Sequence, residues 1–196
     1  MRLPDETYEY IKGEVIDLFT RYDVKCIPIN GFEIASKMGV IVVPYSSLST
    51  KKLEIAYTIS QDGFYAEHGD GKEYIFYNDS CGYRRSNMTI LHEIGHAVLG
   101  HTEETDHDVA EAEAGFFAGY ALAPPPLIHK LTDKTVLCIS ETFDISYESA
   151  LYAFNRYMKW INYGPHQYMN YEVVLLNQIT AYKNWEVINH DINCKR

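Results

Sequence analysis

Two histidines stand four residues apart in Leu91-His92-Glu93-Ile94-Gly95-His96, with a glutamate directly after the first. On a helix, positions i and i+4 lie one turn apart on the same face. Both imidazoles can then reach one zinc ion (Zn2+) at the roughly 2.0–2.1 Å typical of zinc–nitrogen bonds. Glu93 is offset by about 100° and sits beside such an ion, not on it. This spacing serves metal-assisted hydrolysis: the ion lowers the pKa of a water in its open position, and the carboxylate takes the proton. Chance gives roughly 0.03 such matches in a chain of this composition. The competing reading is a pair of surface histidines on an amphipathic helix. The motif lies inside an apolar helical period, as the hydrolytic chemistry requires, and this favours the metal.

A catalytic zinc site needs a third protein ligand. His101 is five residues past His96. On a continuous helix its nine steps of about 100° from His92 put it on the opposite side, so it is set aside as a ligand. An imidazole there is expected to bond free carbonyls at the helix end. His68, His107, His129, His166 and His190 have no partner at a ligand spacing and read as solvated. A carboxylate from a second helix is left. In Asp108-Val109-Ala110-Glu111-Ala112-Glu113-Ala114, Glu111 shares a face with Ala114 and Ala118, small residues that allow close helix packing. Glu113 points about 200° away, beside Phe117. Glu111 is therefore the expected ligand, with Glu113 as the alternative. Asp108-x-x-Glu111 also fits a helix-capping box, which would make Glu111 structural.

The elements that must hold these groups follow from periodicity. Tyr8–Phe19 and Phe32–Met38 read as helices, the second stopped by Gly39, and 39–44 reads as a buried strand ended by Pro44. Three short strands, 54–60, 64–68 and 73–78, are separated by the turn signals Gln61-Asp62-Gly63 and Gly69-Asp70-Gly71-Lys72 and suggest an antiparallel meander. The motif helix runs from Met88 to Leu99 and ends at Gly100, and a polar loop covers 102–108. Val109–Leu122 is an Ala-rich helix stopped by Pro124-Pro125-Pro126. Ser146–Trp160 is a further helix, with Tyr147, Ala150, Leu151, Phe154, Tyr157 and Met158 in one stripe, and another is expected around 172–182. Helices, then strands, then helices make the class α+β. Residues 1–163 are expected to form the domain that carries the site, and 164–196 an extension with one helix packed on it.

The chain has 196 residues, with 17 Lys plus Arg against 27 Asp plus Glu, a net charge of −10. That argues against holding nucleic acid by phosphate neutralisation. No apolar run approaches the roughly 20 residues that cross a bilayer, and the acidic N-terminus lacks the apolar stretch of a leader, so a cytoplasmic protein is expected. Cys26, Cys81, Cys138 and Cys194 are widely spaced and read as separate thiols.

The sequence resembles the ImmA/IrrE family of metallopeptidases from about Tyr8 to Trp160. The resemblance rests on Ser60-x-Asp62-Gly63-Phe64, Ile75-x-Tyr77-Asn78, Arg85 ahead of Thr89 and the His92–His96 core. It continues through Leu99-Gly100-His101, Glu111-x-Glu113-Ala114 with Phe117-Ala118, Ala123-Pro124 and Phe143-x-Ile145-Ser146. It implies a zincin-like α+β domain, His92, His96 and a downstream Glu (again Glu111) as zinc ligands, and Glu93 as base. It also implies an anti-repressor role: cleavage of a helix-turn-helix repressor of a mobile element or stress regulon. In the alternative, a non-catalytic zinc protein sequesters that repressor or presents it to another protease. A substrate segment is expected to pair with the strand ending at Tyr77-Asn78. The sequence departs from the family pattern at Gly115, where Asn or Asp is expected, and at Asn87 and Met88, where Arg and Phe are expected.

Overall fold

The computed structural model describes residues 2–69, 71–164 and 167–180. In chain order they form α1 (Asp5–Arg21), α2 (Gly31–Met38), β1 (Ile41–Pro44), α3 (Thr50–Ile59), β2 (Gly63–Glu67), β3 (Glu73–Tyr77), α4 (Tyr83–Val98), α5 (His107–Leu122), α6 (Pro125–Lys130), α7 (Val136–Phe143), α8 (Tyr147–Tyr163) and α9 (Asn170–Thr180). The class is α+β, mostly helical with one small sheet. Two compact units do not follow chain order: one holds 1–8 and 30–118, the other 9–29 and the chain from Gly119 onward. Helices α8 and α9 belong to the same unit.

In the first unit the strand order is β1-β3-β2. β3 pairs antiparallel with β2 and parallel with β1, so the sheet is not the expected antiparallel meander. Both edges of β3 are occupied, which rules out the strand ending at Tyr77 as the one a substrate could join; the open edges are β1 and β2. β1 was expected to be buried, yet as an edge strand it is half exposed, and Ile41 faces solvent.

The segment 54–60 is helix, not strand. Its Ile55, Tyr57, Thr58 and Ile59 favour a pleated surface, but these side chains are mostly exposed and no strand partner is there to reward them. As a helix the segment buries Ala56 and half-buries Leu53, three residues apart. Helix α4 starts five residues earlier than expected, after Gly82 at φ 80°. It packs against α2, β2 and β3 and is buried on most sides through Ser86, Asn87, Thr89, Ile90, Leu91, Glu93, Ile94 and Gly95. Asn87, a departure from the family pattern, accepts the Gly31 amide at 2.7 Å and ties the start of α2 to α4.

The second unit is helical. Ile11, Val15 and Phe19 of α1, Leu127 and Ile128 of α6, Ile139 and Phe143 of α7 and Ala150 and Ala153 of α8 are buried. The expected single stripe on α8 divides: Ala150 and Tyr157 are buried, whereas Tyr147, Leu151 and Met158 are exposed. Helices α6 and α7 had no counterpart in the sequence reading. Among the described residues, Cys26, Cys81 and Cys138 form no disulfide with one another. Cys194, His166 and His190 lie outside the described residues, as does the end of the helix expected to 182.

Candidate metal centre

Helix α4 presents His92 and His96 one turn apart, with their Nε2 atoms 3.0 Å apart. The Glu111 carboxylate meets them from α5, with Oε2 3.4 Å from His92 Nε2 and Oε1 3.4 Å from His96 Nε2. All three donors lie within 4.8 Å of one another. Two donors at about 2.1 Å from a tetrahedral ion stand roughly 3.4 Å apart, so the carboxylate–imidazole spacings fit such an ion and the imidazole pair is slightly closer. Burial lowers the pKa of both histidines against the pull of Glu111, which leaves them neutral with lone pairs to offer. The capping alternative for Glu111 fails: α5 begins at His107, and Asp106 caps it by accepting the Val109 amide at 3.0 Å.

Close approach of α4 and α5 depends on Gly95, between the two histidines. A Cβ there would lie 3.1–3.3 Å from carbons of Phe117, tighter than ordinary packing. Phe117 itself is fully buried.

Glu93 is 8% exposed and points toward the sheet. Its Oε2 accepts the Tyr65 amide at 3.0 Å, and Oε1 makes no hydrogen bond among the described residues. Burial pushes this carboxyl up to about 7, with the Tyr65 amide pulling the other way and the Glu111 charge adding to the rise. Tyr65 lies on β2. In the antiparallel ladder, Asn78 donates to Asp62 and His68 to Lys72, so 62, 64, 66 and 68 bond across to β3. Gly63, Tyr65 and Glu67 therefore direct their backbone groups to the open edge.

The other residues that carry the family resemblance seat this edge. Ser60 Oγ accepts the amides of Asp62 and Gly63 at 3.2 and 3.1 Å. Arg85 grips Asp62 with two bonds of 3.1 and 2.5 Å. Asn78 donates to Gln61 O at 2.9 Å. Gly63 has no room for a side chain: a Cβ would come within 2.6 Å of Thr89 and 2.7 Å of the Phe76 carbonyl.

His101 takes no place in the cluster, but it does not play the expected part either. The helix ends at Leu99, and Gly100 turns the chain at φ 69°, so projection along a continuous helix does not apply. The His101 amide, not its ring, bonds the His96 carbonyl at 3.1 Å. Its Nδ1 lies 2.9 Å from His96 Nδ1, and its Nε2 lies 2.9 Å from Glu113 Oε2. Glu113 thus meets His101, not the pair of Nε2 atoms. Sequence reasoning missed this link and the Tyr65 amide. A glycine at the helix end with a histidine next to it was the available signal for the first. His68, His107 and His129 are exposed, and His129 Nδ1 meets the Tyr157 hydroxyl at 3.2 Å.

The IrrE N-terminal-like domain, family model Peptidase_M78, matches residues 35–155. The chain belongs to the ImmA/IrrE family of metallopeptidases. No curated protein matches it. Membership in this metallopeptidase family implies a metal ion, and the neutral imidazole pair with its carboxylate is a donor set suited to one. The ImmA/IrrE match spans the whole cluster and the strand edge beside it.

Proposed function

We propose that this ImmA/IrrE protein is a zinc-dependent endopeptidase that cleaves a helix-turn-helix transcriptional repressor in the cytoplasm and so relieves repression of a mobile element or stress regulon. The observation that carries the peptidase reading is the convergence of His92, His96 and Glu111 beside a buried Glu93 with one carboxylate oxygen uncommitted. His92, His96 and Glu111 would hold the ion, as zincin-type sites do with two histidines and a carboxylate. Bound zinc supplies Lewis acidity to the scissile carbonyl and to the attacking water.

The chain's own residues do the rest. Glu93 takes a proton from water on its free oxygen and hands it to the leaving amine. The Tyr65 amide orients Glu93 through the other oxygen. A dication next to Glu93 would draw its pKa back down, toward the ionised form that a base needs. The repressor segment lies extended along the open edge of β2, where the Gly63 carbonyl and the Glu67 backbone offer partners. This edge replaces the central strand β3, which has no free side. The repressor as substrate rests on what the sequence resemblance implies, and the family match carries the metallopeptidase part of the reading. Among the described residues no helix is long and apolar enough to cross a membrane.

The test is co-expression with the repressor encoded nearest to this gene, comparing the wild type with Glu93→Gln. Cleavage by the wild type and its loss in a zinc-loaded Glu93→Gln protein are expected. Repressor loss that persists in Glu93→Gln would overturn the enzymatic reading in favour of sequestration.

A further inference from the structure

His96 has two ring nitrogens, and both are engaged. Nε2 faces His92 and Glu111; Nδ1 faces His101, whose far nitrogen reaches Glu113. The His101 side chain is 7% exposed and that of Glu113 20%. Two elements build this chain of contacts: the left-handed turn at Gly100 folds His101 back beneath His96, and α5 delivers Glu113.

We propose that Glu113 and His101 are positioning residues that fix the tautomer and ring orientation of His96, so that its Nε2 lone pair is held ready for the ion. This rests on the reading of His92, His96 and Glu111 as metal ligands.

The argument is proton placement. Glu113 is a carboxylate and can only accept, so His101 carries its proton on Nε2. His101 Nδ1 is then an acceptor, and His96 must supply the proton between them from its own Nδ1. A neutral imidazole has one ring proton, so His96 Nε2 is left with its lone pair toward Glu111 and His92. The order is His96 Nδ1–H to His101 Nδ1, then His101 Nε2–H to Glu113. An imidazole alone would be an ambivalent partner: with its proton on Nδ1 it would donate to His96 and force the His96 proton onto Nε2, which blocks coordination. The acid at the end of the chain removes that choice. Metal-binding histidines commonly donate their second N–H to a carboxylate or carbonyl, and losing that partner costs about 10–100-fold in metal affinity. Here one histidine is inserted between ligand and carboxylate. Glu111 and Glu113 on the same helix then have separate tasks, one toward the ion and one toward the ring that holds it.

The experiment measures zinc affinity of the full-length, metal-stripped protein by competition with a chromogenic chelator, alongside thermal unfolding and nitrogen-15 NMR of the His96 ring. Glu113→Gln removes the charge at nearly constant shape, and His101→Phe removes both nitrogens at similar volume. Glu104→Gln, on the exposed loop before α5, controls for net charge. Zinc binding is expected to weaken about 10-fold in Glu113→Gln and about 10- to 100-fold in His101→Phe, with Glu104→Gln unchanged. Wild-type His96 should carry its proton on Nδ1, and Glu113→Gln should show a mixture. Affinities within twofold of wild type in both folded variants, or a wild-type His96 protonated on Nε2, would overturn the proposal. Should His101→Phe not fold, Glu113→Gln and the NMR signature decide. A wild type that binds no zinc sinks the metal reading and this inference together; tight wild-type binding with unaffected variants sinks this inference alone.

Discussion

Glu93 and Glu172 are both nearly fully buried, at 8% and 2% exposure, one in each compact unit, and burial raises the pKa of both carboxyls. Their surroundings differ. Glu172 spends both oxygens, accepting the Trp160 indole N–H at 2.7 Å and the Met169 amide at 2.9 Å at the start of α9. Glu93 spends one, on the Tyr65 amide, and keeps the other open beside two neutral imidazoles. A buried acid with both oxygens engaged is a brace for a helix end. A buried acid left half satisfied in a cluster of donors is poised to move a proton.

That contrast can be broken by experiment. The largest effect is expected at Glu93: Glu93→Gln should lower kcat by about 10²–10⁴-fold or more, with zinc stoichiometry preserved. Cleavage assays with metal content measured in parallel check this, and Glu172→Gln should leave kcat per folded molecule unchanged. Next comes the strand that orients Glu93. Gly63→Val must displace β2 from Thr89 and the Phe76 carbonyl. It should cost about 1–3 kcal/mol in urea unfolding and lower kcat as the Tyr65 amide moves off Glu93. Glu172→Ala leaves two part-buried N–H donors, of Trp160 and Met169, without their acceptor. It should also cost about 1–3 kcal/mol, but with kcat per folded molecule intact.

A pH series sharpens the comparison further. The folded pKa of Glu172 lies above its ordinary value of 4.5. Its contribution is therefore fully present below that value and is lost as pH rises through the folded pKa. The Tm of Glu172→Gln relative to wild type should climb as pH rises above 4.5; a flat difference would contradict the raised pKa. The smallest effect is expected at Gly115, where an added Cβ meets nothing within 4 Å inside α5. Gly115→Ala should stabilise by about 0.5–1 kcal/mol and leave zinc affinity unchanged.

The residues of the candidate site were the most legible part of the chain, because metal-assisted hydrolysis demands particular residue types at helical spacing. His92, Glu93 and His96 stood out for that reason, and Glu111 emerged from the small residues on its face. Amphipathic helices α1 and α2 were equally readable from their periodic apolar positions and the stop at Gly39. Segment 54–60 was not, since its β-formers lie in solvent and only Ala56 is buried. The parallel pairing of β1 was hidden because it joins residues more than 30 positions apart, a contact that no local pattern encodes. Helix α6 has 6 residues and begins inside a proline run, and α7, though as long as α2, ends at Asp144 without a glycine stop such as Gly39. The His101 link depends on one glycine leaving the helix, a backbone event that periodicity does not capture.

Helix α5 carries Glu111 and Glu113 about 200° apart around its axis, Glu111 3.4 Å from the Nε2 atoms of His92 and His96 and Glu113 bonded to His101. With an ion between Glu111 and the histidine pair, a rod keyed at two such points could not roll. A turn of 20° about the axis would sweep a carboxylate at about 6 Å radius through roughly 2 Å, enough to break either contact. The angular setting of this one helix is therefore indexed by its own two acids, and a change that loosens one releases the grip of the other.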